Sequence, residues 1–379
     1  MSNPLEDVKA RLAMASGASR RDLLIQLNEL IVSVETTEET VKRIGLYPLQ
    51  TSVAKIGQDL GIFELLTNCG PQSLEQLQTS TKAHPRTLGR LLRYMASLGL
   101  IGEAGINLFE ANETCRKFAT PEGVITLTHF WDNGMALWQT MPEFLRKHNY
   151  QDVTNGRATV FQSAFKTDED LYEWFHQNPV NQASIFEFME LQKATRGVWF
   201  DKYPIQGETR SWDPNMPVWV DMGGNVGHYC ALFKEKFPEV PGRVILQDIP
   251  LTIEKALRTP GVENMSHDFF EEQPIKGSKY YHLGWVLHNW NDEKSAQILR
   301  QIKLAMTAES VLLINDVVVP YSKVPAWAAS LDIMMMAVCG AQERTMKEWA
   351  DLLGGAGLSV KECTVYDTEQ CHGIISATL

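Results

Sequence analysis

The chain has 379 residues, of which 44% are hydrophobic and 21% are charged, and its formal net charge at pH 7 is -11. This acidity argues against a surface built to hold nucleic acid or an anionic membrane. No apolar stretch reaches the roughly 18 consecutive residues of a membrane span, and residues 1–7 lack the basic-then-apolar pattern of a secretion signal. We therefore expect a cytoplasmic protein of two or three domains that binds neither nucleic acid nor membrane.

The cysteines of the chain are scattered without CxxC pairs or nearby histidine clusters, at positions 69, 115, 230, 339, 363 and 371. Such spacing is typical of reduced cytosolic thiols and provides neither a disulfide framework nor a zinc site. From the sequence we expect no metal centre.

Residues 1–20 are polar, and we expect them to be loosely held. Two stretches with apolar residues at helical spacing follow, namely Leu23, Leu24, Leu27, Leu30 and Ile31, then Leu49, Val53, Ile56, Leu60 and Phe63. Neither helix has an evident partner in the chain. The two either form the interface of a homodimer or pack on each other and on the following domain, and both interpretations stay open.

Residues 73–109 have the order helix, turn, helix and hairpin that is typical of a winged-helix fold. Ser73 is placed to cap a short helix, and a second helix follows Pro85. The last part, residues 98–109, predicts a small hairpin with its turn at residues 103–105.

One face of the second of these helices carries Arg86, Arg90 and Arg93, so a DNA-reading helix is one interpretation. In an acidic chain, three arginines are more often a solvated or salt-bridged face, and we favour that interpretation.

The helical segment that follows, residues 124–200, is rich in aromatic residues. These either fill a core or line a pocket for a flat, apolar substrate. Residues 204–217 contain proline and glycine and predict a hinge.

A strand, a glycine turn and a helix follow one another in residues 218–236. The strand is the apolar run at residues 218–220, and the turn contains Gly223, Gly224 and Gly227. Glycine is required where the backbone takes positive φ or approaches a ligand too closely for a Cβ. This order is the first unit of a nucleotide-binding α/β domain.

Two carboxylates accompany the turn and indicate which cofactor it binds. Asp248, followed by Ile249, ends the next apolar run 21 residues beyond Gly227. That spacing suits a carboxylate that binds the two hydroxyls of a ribose, which both dinucleotides and S-adenosylmethionine carry. Asp221, at the tip of the first strand, would repel a pyrophosphate and attract the ammonium group of S-adenosylmethionine. We therefore favour S-adenosylmethionine.

Downstream, strands alternate with helices, which predicts an α/β fold with a parallel, doubly wound sheet. The predicted strands are 280–287 and 311–319, with a short element at 265–269 and helices over 251–258, 292–306 and 345–353. Two β-rich segments, 360–366 and 374–378, fit an antiparallel edge of that sheet.

Ligands of such sheets bind at the carboxyl ends of the strands, where this chain places several polar residues. His288 follows a predicted strand, so its imidazole can face the cofactor and remove a proton from a substrate hydroxyl. A helix-capping histidine is the alternative interpretation. Asp316, at the end of the next strand, and Glu343 could flank the imidazole, fix its tautomer and stabilise its protonated form.

Five motifs together resemble those of the plant and fungal S-adenosylmethionine-dependent O-methyltransferases, and most of all the fungal members. The motifs are residues 221–227 (DMGGNVG), 247–250 (QDIP), 267–270 (HDFF), 286–293 (VLHNWNDE) and 343–345 (ERT). The resemblance covers essentially the whole chain. It implies a class I methyltransferase, Rossmann-like doubly wound sheet preceded by a mainly helical winged-helix dimerisation domain, and it weakens the DNA interpretation further.

The resemblance also implies domains and roles. We expect a dimerisation domain at residues 1–122, a helical linker and substrate-pocket segment at 123–206, and a cofactor-binding catalytic domain at 207–379. The implied cofactor residues are Asp221, Gly223, Gly224 and Gly227 around the methionine part, Asp248 with Ile249 at the ribose, and Asp268 with Phe269 at the adenine. His288 would be the general base, oriented by Asp316 and Glu343, in a homodimer that methylates an apolar or aromatic small molecule without a metal.

Three features depart from the family pattern or leave room for a second reaction. Asn289 replaces an aspartate beside the base, and Asn225 replaces the third glycine of the turn at little conformational cost. His129 falls where the helical segment would cover the substrate pocket. Some fungal relatives are pericyclases, in which the cofactor is a fixed positive charge and donors in the pocket polarise the substrate. His129 and His288 could be such donors, so a pericyclase remains the alternative function.

Overall fold

The computed structural model describes residues 10, 14, 17–195, 199–210 and 212–379. The chain divides into two compact units. The helical unit comprises Leu24–Pro142 and Tyr172–Arg196, and the sheet unit comprises Met1–Leu23, Glu143–Leu171 and Gly197–Leu379. Both units combine separate segments of the chain, so the three consecutive domains expected from the sequence stay a prediction. The loose N-terminus expected over residues 1–20 lies largely outside the described residues.

Four helices begin the described chain. They are α1 (Gly17–Val34), α2 (Thr37–Gly45), α3 (Tyr47–Asp59) and α4 (Ile62–Cys69). Thr36 and Glu39 form a capping box at the start of α2, which satisfies its first backbone N–H groups. The prediction of one helix over residues 49–63 is wrong in one respect, because this stretch is divided between two helices, α3 and α4. Gly61, with φ +66°, takes the left-handed conformation there that only glycine adopts at no steric cost.

The winged-helix prediction is confirmed in the helical unit. Its elements are β1 (Gln72–Ser73), α5 (Leu74–Thr81), α6 (Pro85–Ser97), β2 (Gly102–Gly105) and β3 (Leu108–Glu110), and the strands pair in the order β1-β3-β2. Ser73 caps α5 as expected, in a capping box with Gln76. The hairpin turn lies at Ile106 and Asn107 instead of residues 103–105, because Asn107 takes the positive φ of +53° that closes it.

The remaining helices up to residue 209 are α7 (Glu113–Phe118), α8 (Pro121–His129), α9 (Met135–Lys147), α10 (Val160–Phe165), α11 (Leu171–Gln177), α12 (Pro179–Thr195) and α13 (Ile205–Thr209). A π-helical turn, Phe130–Gly134, lies between α8 and α9. Turns of this kind occur often at functional sites, because the extra residue per turn re-aims the neighbouring side chains. No helix among the described residues is long and apolar enough to cross a membrane.

The sheet unit continues with β4 (Pro217–Met222), α14 (His228–Lys236), β5 (Arg243–Asp248), α15 (Pro250–Ile253), β6 (Val262–Ser266), β7 (Tyr280–Gly284), α16 (Asp292–Ala305), β8 (Val311–Val319), α17 (Ala326–Cys339), β9 (Arg344–Thr345), α18 (Met346–Gly355), β10 (Ser359–Asp367) and β11 (His372–Thr378). A 3₁₀ turn, Leu287–Asn289, follows β7.

The predicted doubly wound sheet is confirmed. Its strands lie in the order β10-β11-β8-β7-β4-β5-β6, and β9 pairs with β8. The strands from β4 to β8 run parallel, whereas β11 and β10 run antiparallel to their neighbours, as the sequence indicated. Apolar residues of β4, β5, β7 and β8 are fully buried on both faces, which is what helices on both sides of a parallel sheet require.

Three expectations for this unit need correction. The strand expected over 280–287 ends at Gly284, because Trp285 has φ +60° and turns the backbone into the 3₁₀ turn. The helix expected over 251–258 is only the short α15. No helix is predicted at α17, because its apolar residues extend all round the helix and leave no amphipathic period.

Candidate active site

The glycine turn between β4 and α14 is tied to the end of β5. The backbone N–H groups of Gly223 and Gly224 donate to Gln247 O at 2.8 and 3.2 Å. Gly223, Asn225 and Gly227 have φ of +66°, +56° and +93°, so Asn225 does adopt the positive φ expected of it. A Cβ on Gly224 would lie 2.5 Å from both Asp221 Oδ2 and Leu246 Cδ1. This glycine turn, which we call the cradle, therefore packs so tightly on Asp221 and Leu246 that position 224 requires glycine.

Asp248 closes this cradle from the neighbouring strand. Its Oδ2 accepts from the backbone N–H of Asn225 at 2.8 Å and its Oδ1 from that of Ile249 at 2.8 Å. Burial raises the pKa of this carboxyl, and the two N–H groups oppose that rise. One carboxylate thus fixes the turn, and each of its oxygens keeps lone pairs for a further donor such as a ribose hydroxyl.

Asp221 lies deeper than its expected role suggests. Its side chain is fully buried, and Oδ1 lies 2.7 Å from Nδ1 of His282, which is also fully buried. The thiol of Cys230 contacts Oδ2 at 3.7 Å. The Asp221 carboxylate therefore belongs to a buried pair beneath the turn. Its attraction for the ammonium group of the cofactor stays a prediction, and that attraction would act over a longer distance than a direct contact.

The two residues expected at the adenine lie beside the same turn. Asp268 is exposed, and its Oδ1 accepts from the backbone N–H of Phe270 at 2.9 Å. The ring of half-buried Phe269 and the side chain of Val286 approach the position of a Gly223 Cβ to 3.3 and 3.0 Å. An aromatic ring and an aliphatic side chain thus lie beside the cradle, and side chains of these types pack well against a flat heterocycle.

His288 is the centre of a second group at the carboxyl edge of the sheet. Its Nδ1 lies 2.9 Å from Glu343 Oε1 and 4.0 Å from Asp316 Oδ1, and its backbone N–H donates to Asp316 Oδ2 at 3.3 Å. The structure therefore brings together the three residues that the sequence placed at one strand edge. With Nδ1 directed at Glu343, Nε2 is the ring nitrogen that can exchange a proton with a substrate.

Both carboxylates of this group are buried. Asp316 is fully buried, which raises its pKa to about 6, and the neighbouring Glu343 charge adds to the rise while His288 opposes it. Among the described residues, Glu343 Oε2 has no hydrogen-bond partner. The Glu343 backbone N–H donates to Asp332 Oδ1 at 2.8 Å, which holds the residue in place. Because water does not screen the negative charge of these carboxylates, they favour the protonated form of the His288 imidazole beside them.

One atom from each of His288, Asp316 and Glu343 lies within 4.8 Å of the others, and this is the one set of three possible metal ligands among the described residues. Glu343 already engages Nδ1 of His288, and backbone N–H groups engage both oxygens of Asp316, that of His288 at Oδ2 and that of Val317 at Oδ1 (3.0 Å). The absence of a metal, expected from the sequence, stays a prediction.

His129 lies in the helical unit, at the end of α8. Its ring stacks on Phe188 with centroids 4.3 Å apart and an interplanar angle of 11°. Burial lowers the pKa of this imidazole to about 4, so it is neutral near pH 7. Asn181 Nδ2 donates to Asn133 Oδ1 at 3.0 Å, which orients Asn133 Nδ2 toward His129 Nδ1 at 3.3 Å. This assigns the proton of the neutral ring to Nε2, as a hydrogen-bond donor.

Two buried residues of the sheet unit were not singled out from the sequence as site residues, namely His282 and Arg344. His282 is 61 positions from its partner Asp221 and meets it only because β4 and β7 are neighbours. Arg344 follows Glu343 in a motif that was noted, and its full burial is visible only in the structure.

A doubly wound sheet of this strand order, with a glycine cradle and a buried imidazole between carboxylates, is the architecture of S-adenosylmethionine-dependent methyltransferases. A family model for an O-methyltransferase domain matches residues 149–359, and one for an O-methyltransferase dimerisation domain matches residues 49–121. The chain belongs to the O-methyltransferase family.

Individual relatives agree with this assignment. The chain is 37% identical over 365 residues to demethylsterigmatocystin 6-O-methyltransferase of Aspergillus parasiticus, covering 96% of this chain and 94% of the relative. Two solved structures, a pericyclic reaction enzyme and LepI in complex with SAM, are each 31% identical with a TM-score of 0.89, covering 99% of this chain and 98% of theirs.

The predictions of the family, of the enzyme class, of the fold and of S-adenosylmethionine as cofactor are confirmed by these comparisons. The roles of the individual site residues stay predictions.

Proposed function

We propose that the protein transfers a methyl group from S-adenosylmethionine to a hydroxyl of an aromatic or polyketide-type small molecule, with His288 as the general base. One observation carries this proposal: the buried His288 imidazole, 2.9 Å from the Glu343 carboxylate and backed by Asp316. A base of this kind is needed to make an oxygen nucleophile, and a purely polarising site does not require one. The relative that methylates demethylsterigmatocystin supports a phenolic polyketide as the acceptor class.

The cofactor supplies an electrophilic methyl group on a positively charged sulfur, so the chain itself must bind, align and deprotonate. The cradle of Gly223, Gly224 and Gly227 would admit the cofactor backbone closely, with Asp248 at the ribose. The ring of Phe269 would pack beside the adenine, and the carboxylate of Asp268 would accept a hydrogen bond from it. These residues fit such a cofactor, because both oxygens of Asp248 keep lone pairs for hydroxyl donors, and the side chains of Phe269 and Val286 lie beside the turn.

His288 would take the hydroxyl proton on Nε2 while the oxygen bonds to the methyl carbon and the bond from that carbon to sulfur breaks, with S-adenosylhomocysteine as the leaving group. The resulting imidazolium is stabilised by Glu343, whose second oxygen has no competing hydrogen bond within the described part of the chain. Proton and charge thus end on a ring that two buried carboxylates stabilise. His288 returns the proton to solvent after the product leaves.

A pericyclase is the second candidate, and His129 is the observation that favours it. Its neutral ring presents an Nε2–H donor, held by Phe188 and Asn133, which suits polarisation of a substrate carbonyl. The solved pericyclic reaction enzyme with a TM-score of 0.89 shows that this fold supports such chemistry.

Product mass separates the two functions. The protein is incubated with S-adenosylmethionine and a panel of phenolic polyketides, including demethylsterigmatocystin, and of pyridone-type precursors. A methyl gain with consumption of the cofactor supports methyl transfer. Dehydration or isomerisation with the cofactor unchanged supports the pericyclase and overturns the transferase.

His288→Ala tests the base in the same assay. We expect turnover to fall by about 10²–10⁴-fold, as loss of a general base does. Cofactor affinity, measured by calorimetry, should stay nearly unchanged. Brisk turnover by His288→Lys, which cannot act as a base near neutral pH, would end the general-base account.

We also propose that the enzyme is a homodimer in the cytoplasm. The family match to a dimerisation domain and the exposed apolar side chains of α1–α3 support the dimer. The thiols of Cys69, Cys115, Cys230, Cys339 and Cys363 are in no disulfide, which suits a reducing compartment.

A further inference from the structure

Arg344 is a fully buried charge beside the proposed base. It follows Glu343 directly and lies in β9, where its backbone is in register with Val318 of β8. Burial of a guanidinium is costly, so nearly all its donors must find acceptors. The acceptors it finds lie on the segment that carries His288.

Two backbone carbonyls on either side of His288 accept from this guanidinium. Nη1 donates to Leu287 O at 3.0 Å, and Nη2 donates to Trp290 O at 2.9 Å. Ser295 Oγ, in α16, lies 3.4 Å from Nη2. Because Leu287 and Trp290 enclose the 3₁₀ turn, the two bonds fix the backbone from which the imidazole extends.

The guanidinium is itself held from two sides. Nε and Nη2 donate to Asp292 Oδ1 at 2.9 and 2.8 Å, and the cation lies 5.1 Å from the centroid of the Trp349 ring. Trp349 Nε1 in turn donates to Val317 O at 3.0 Å, next to Asp316. The planar group is thus clamped between the start of α16 and the strand that carries the buried aspartate.

We infer that Arg344 is a positioning residue for the proposed base: Glu343 orients the His288 ring, and Arg344 fixes the backbone turn that carries it. This inference rests on the proposed function of His288. It assigns distinct tasks to two consecutive residues of one motif, the first acting on the side chain of His288 and the second on its main chain.

Lysine cannot replace this arginine. Its ammonium is a compact charge on a flexible stem, whereas the bonds to Leu287, Trp290 and Asp292 come from three nitrogens of one rigid, planar guanidinium. Arg344→Lys therefore keeps the charge and removes the fixed geometry. Arg243→Lys is the matched control, because Arg243 binds Glu263 through Nε and Nη2 at the opposite edge of the same sheet.

The first test needs no substrate. Ring signals of His288 are assigned by nuclear magnetic resonance with the help of His288→Gln, and they are titrated in the full-length wild type and in both variants. We expect Arg344→Lys to show a displaced titration midpoint and more than one ring environment. Arg243→Lys should match the wild type. Unchanged His288 signals in Arg344→Lys would overturn the inference.

The second test is kinetic and uses the acceptor methylated in the panel above. Arg344→Lys should lower kcat by about 100-fold, as a displacement of a catalytic group by about 1 Å does. Its KM for S-adenosylmethionine should stay close to that of Arg243→Lys, and both variants are assayed well below their melting temperatures, so that both are folded. A wild-type kcat, or a loss explained entirely by the unfolded fraction, would contradict positioning.

Chemical rescue distinguishes geometry from general damage. Arg344→Ala leaves a buried space of guanidinium shape, so low concentrations of guanidinium chloride should restore part of kcat, while sodium chloride and urea should not. If Arg344→Ala does not fold, the lysine variant and Ser295→Ala carry the test. If His288→Ala retains full activity, the proposed function fails, and the resonance experiment still decides the role of Arg344.

Discussion

Replacing Glu343 by glutamine keeps an acceptor for the Nδ1 proton of His288 and removes a negative charge 2.9 Å away. We expect kcat to fall about 10–100-fold, which corresponds to the loss of a hydrogen bond to a charged group, about 1.5–3 kcal/mol. The carboxylate favours the protonated ring, so without it the ring loses its proton at lower pH. The acid limb of the kcat/KM profile should therefore move to lower pH.

A pH–rate profile of Glu343→Gln measures both effects. Glu208→Gln is a suitable control, since this carboxylate bonds Tyr280 and Lys361 at the opposite edge of the sheet. An acid limb that moves to higher pH, or a profile that does not change, would show that Glu343 does not act on the base.

Individual site residues could be predicted from the sequence more readily than the hydrogen-bond partners of those residues. Asp316, Glu343 and His288 were placed together because each follows a strand or lies in a motif, and parallel strands end at one edge. The pairing of Asp221 with His282 depends on which strands are neighbours and could not be read from either residue. The clamp formed by Arg344 depends on backbone carbonyls, which have no signature in the sequence.

The turn between β4 and α14 leads to a prediction about a single methyl group. Gly224→Ala would place a Cβ 2.5 Å from Asp221 Oδ2 and Leu246 Cδ1, so the turn must shift. We expect about 1–3 kcal/mol of lost stability from overpacking and at least a tenfold loss of S-adenosylmethionine affinity. Urea unfolding and calorimetry measure the two.

Gly354→Ala is the matched control for that substitution. Gly354 lies in α18 with nothing within 4 Å of its added Cβ. Alanine should stabilise the helix there by about 0.5–1 kcal/mol, and affinity should not change. Wild-type affinity in Gly224→Ala would mean that the turn does not hold the cofactor.

The helix that ends at His129 leads to a prediction about acid stability. Burial lowers the pKa of His129 to about 4, below its ordinary value of 6.5. Between these values the unfolded chain binds a proton that the folded chain does not, so this contribution to stability is complete above pH 6.5 and decreases as the pH falls. We expect wild type to lose about 2 kcal/mol more than His129→Phe between pH 7 and pH 5.

Urea unfolding at the two pH values measures this difference. Phenylalanine keeps the stacking on Phe188 and removes the titrating group. His176→Phe, at an exposed position of α11, should leave the acid loss of wild type intact. Equal acid loss in wild type and His129→Phe would show that His129 does not stay neutral in the folded protein.

Most elements could be predicted because their apolar period matched their burial. The strand β8 agrees with its predicted span of 311–319, since its residues are buried on both faces and form one apolar run. Errors occur where one residue takes a left-handed conformation, as at Gly61 and Trp285, because composition does not show which residue will do so. The helix α17 was missed because it has no polar face to give a period.

For the whole molecule, the exposed apolar side chains of the first helices predict association. Leu30, Val41 and Ile44 are 58%, 64% and 54% exposed in the single chain. Light scattering should therefore give about twice the chain mass of 42.8 kDa. Introducing glutamate at Leu30 and Val41 should shift the protein to the monomer, because buried unpaired charges oppose association.

Ile106→Glu is the control for this experiment, since Ile106 is 97% exposed at the hairpin turn and lies outside those helices. It should leave the mass of the dimer unchanged. A folded wild type that is monomeric at micromolar concentration would contradict the dimer.

The position of β11 between β8 and β10 has a consequence for how the enzyme is made on the ribosome. Asp316 lies opposite Gly373 in the register of β8 and β11, so the strand that carries this buried carboxylate obtains its second neighbour only when residues 372–378 have been synthesised. Until then β8 has an unpaired edge, of the kind that recruits other chains. The edge of β8 therefore stays open through the synthesis of residues 320–371, and the sheet is complete only when β11 has been made.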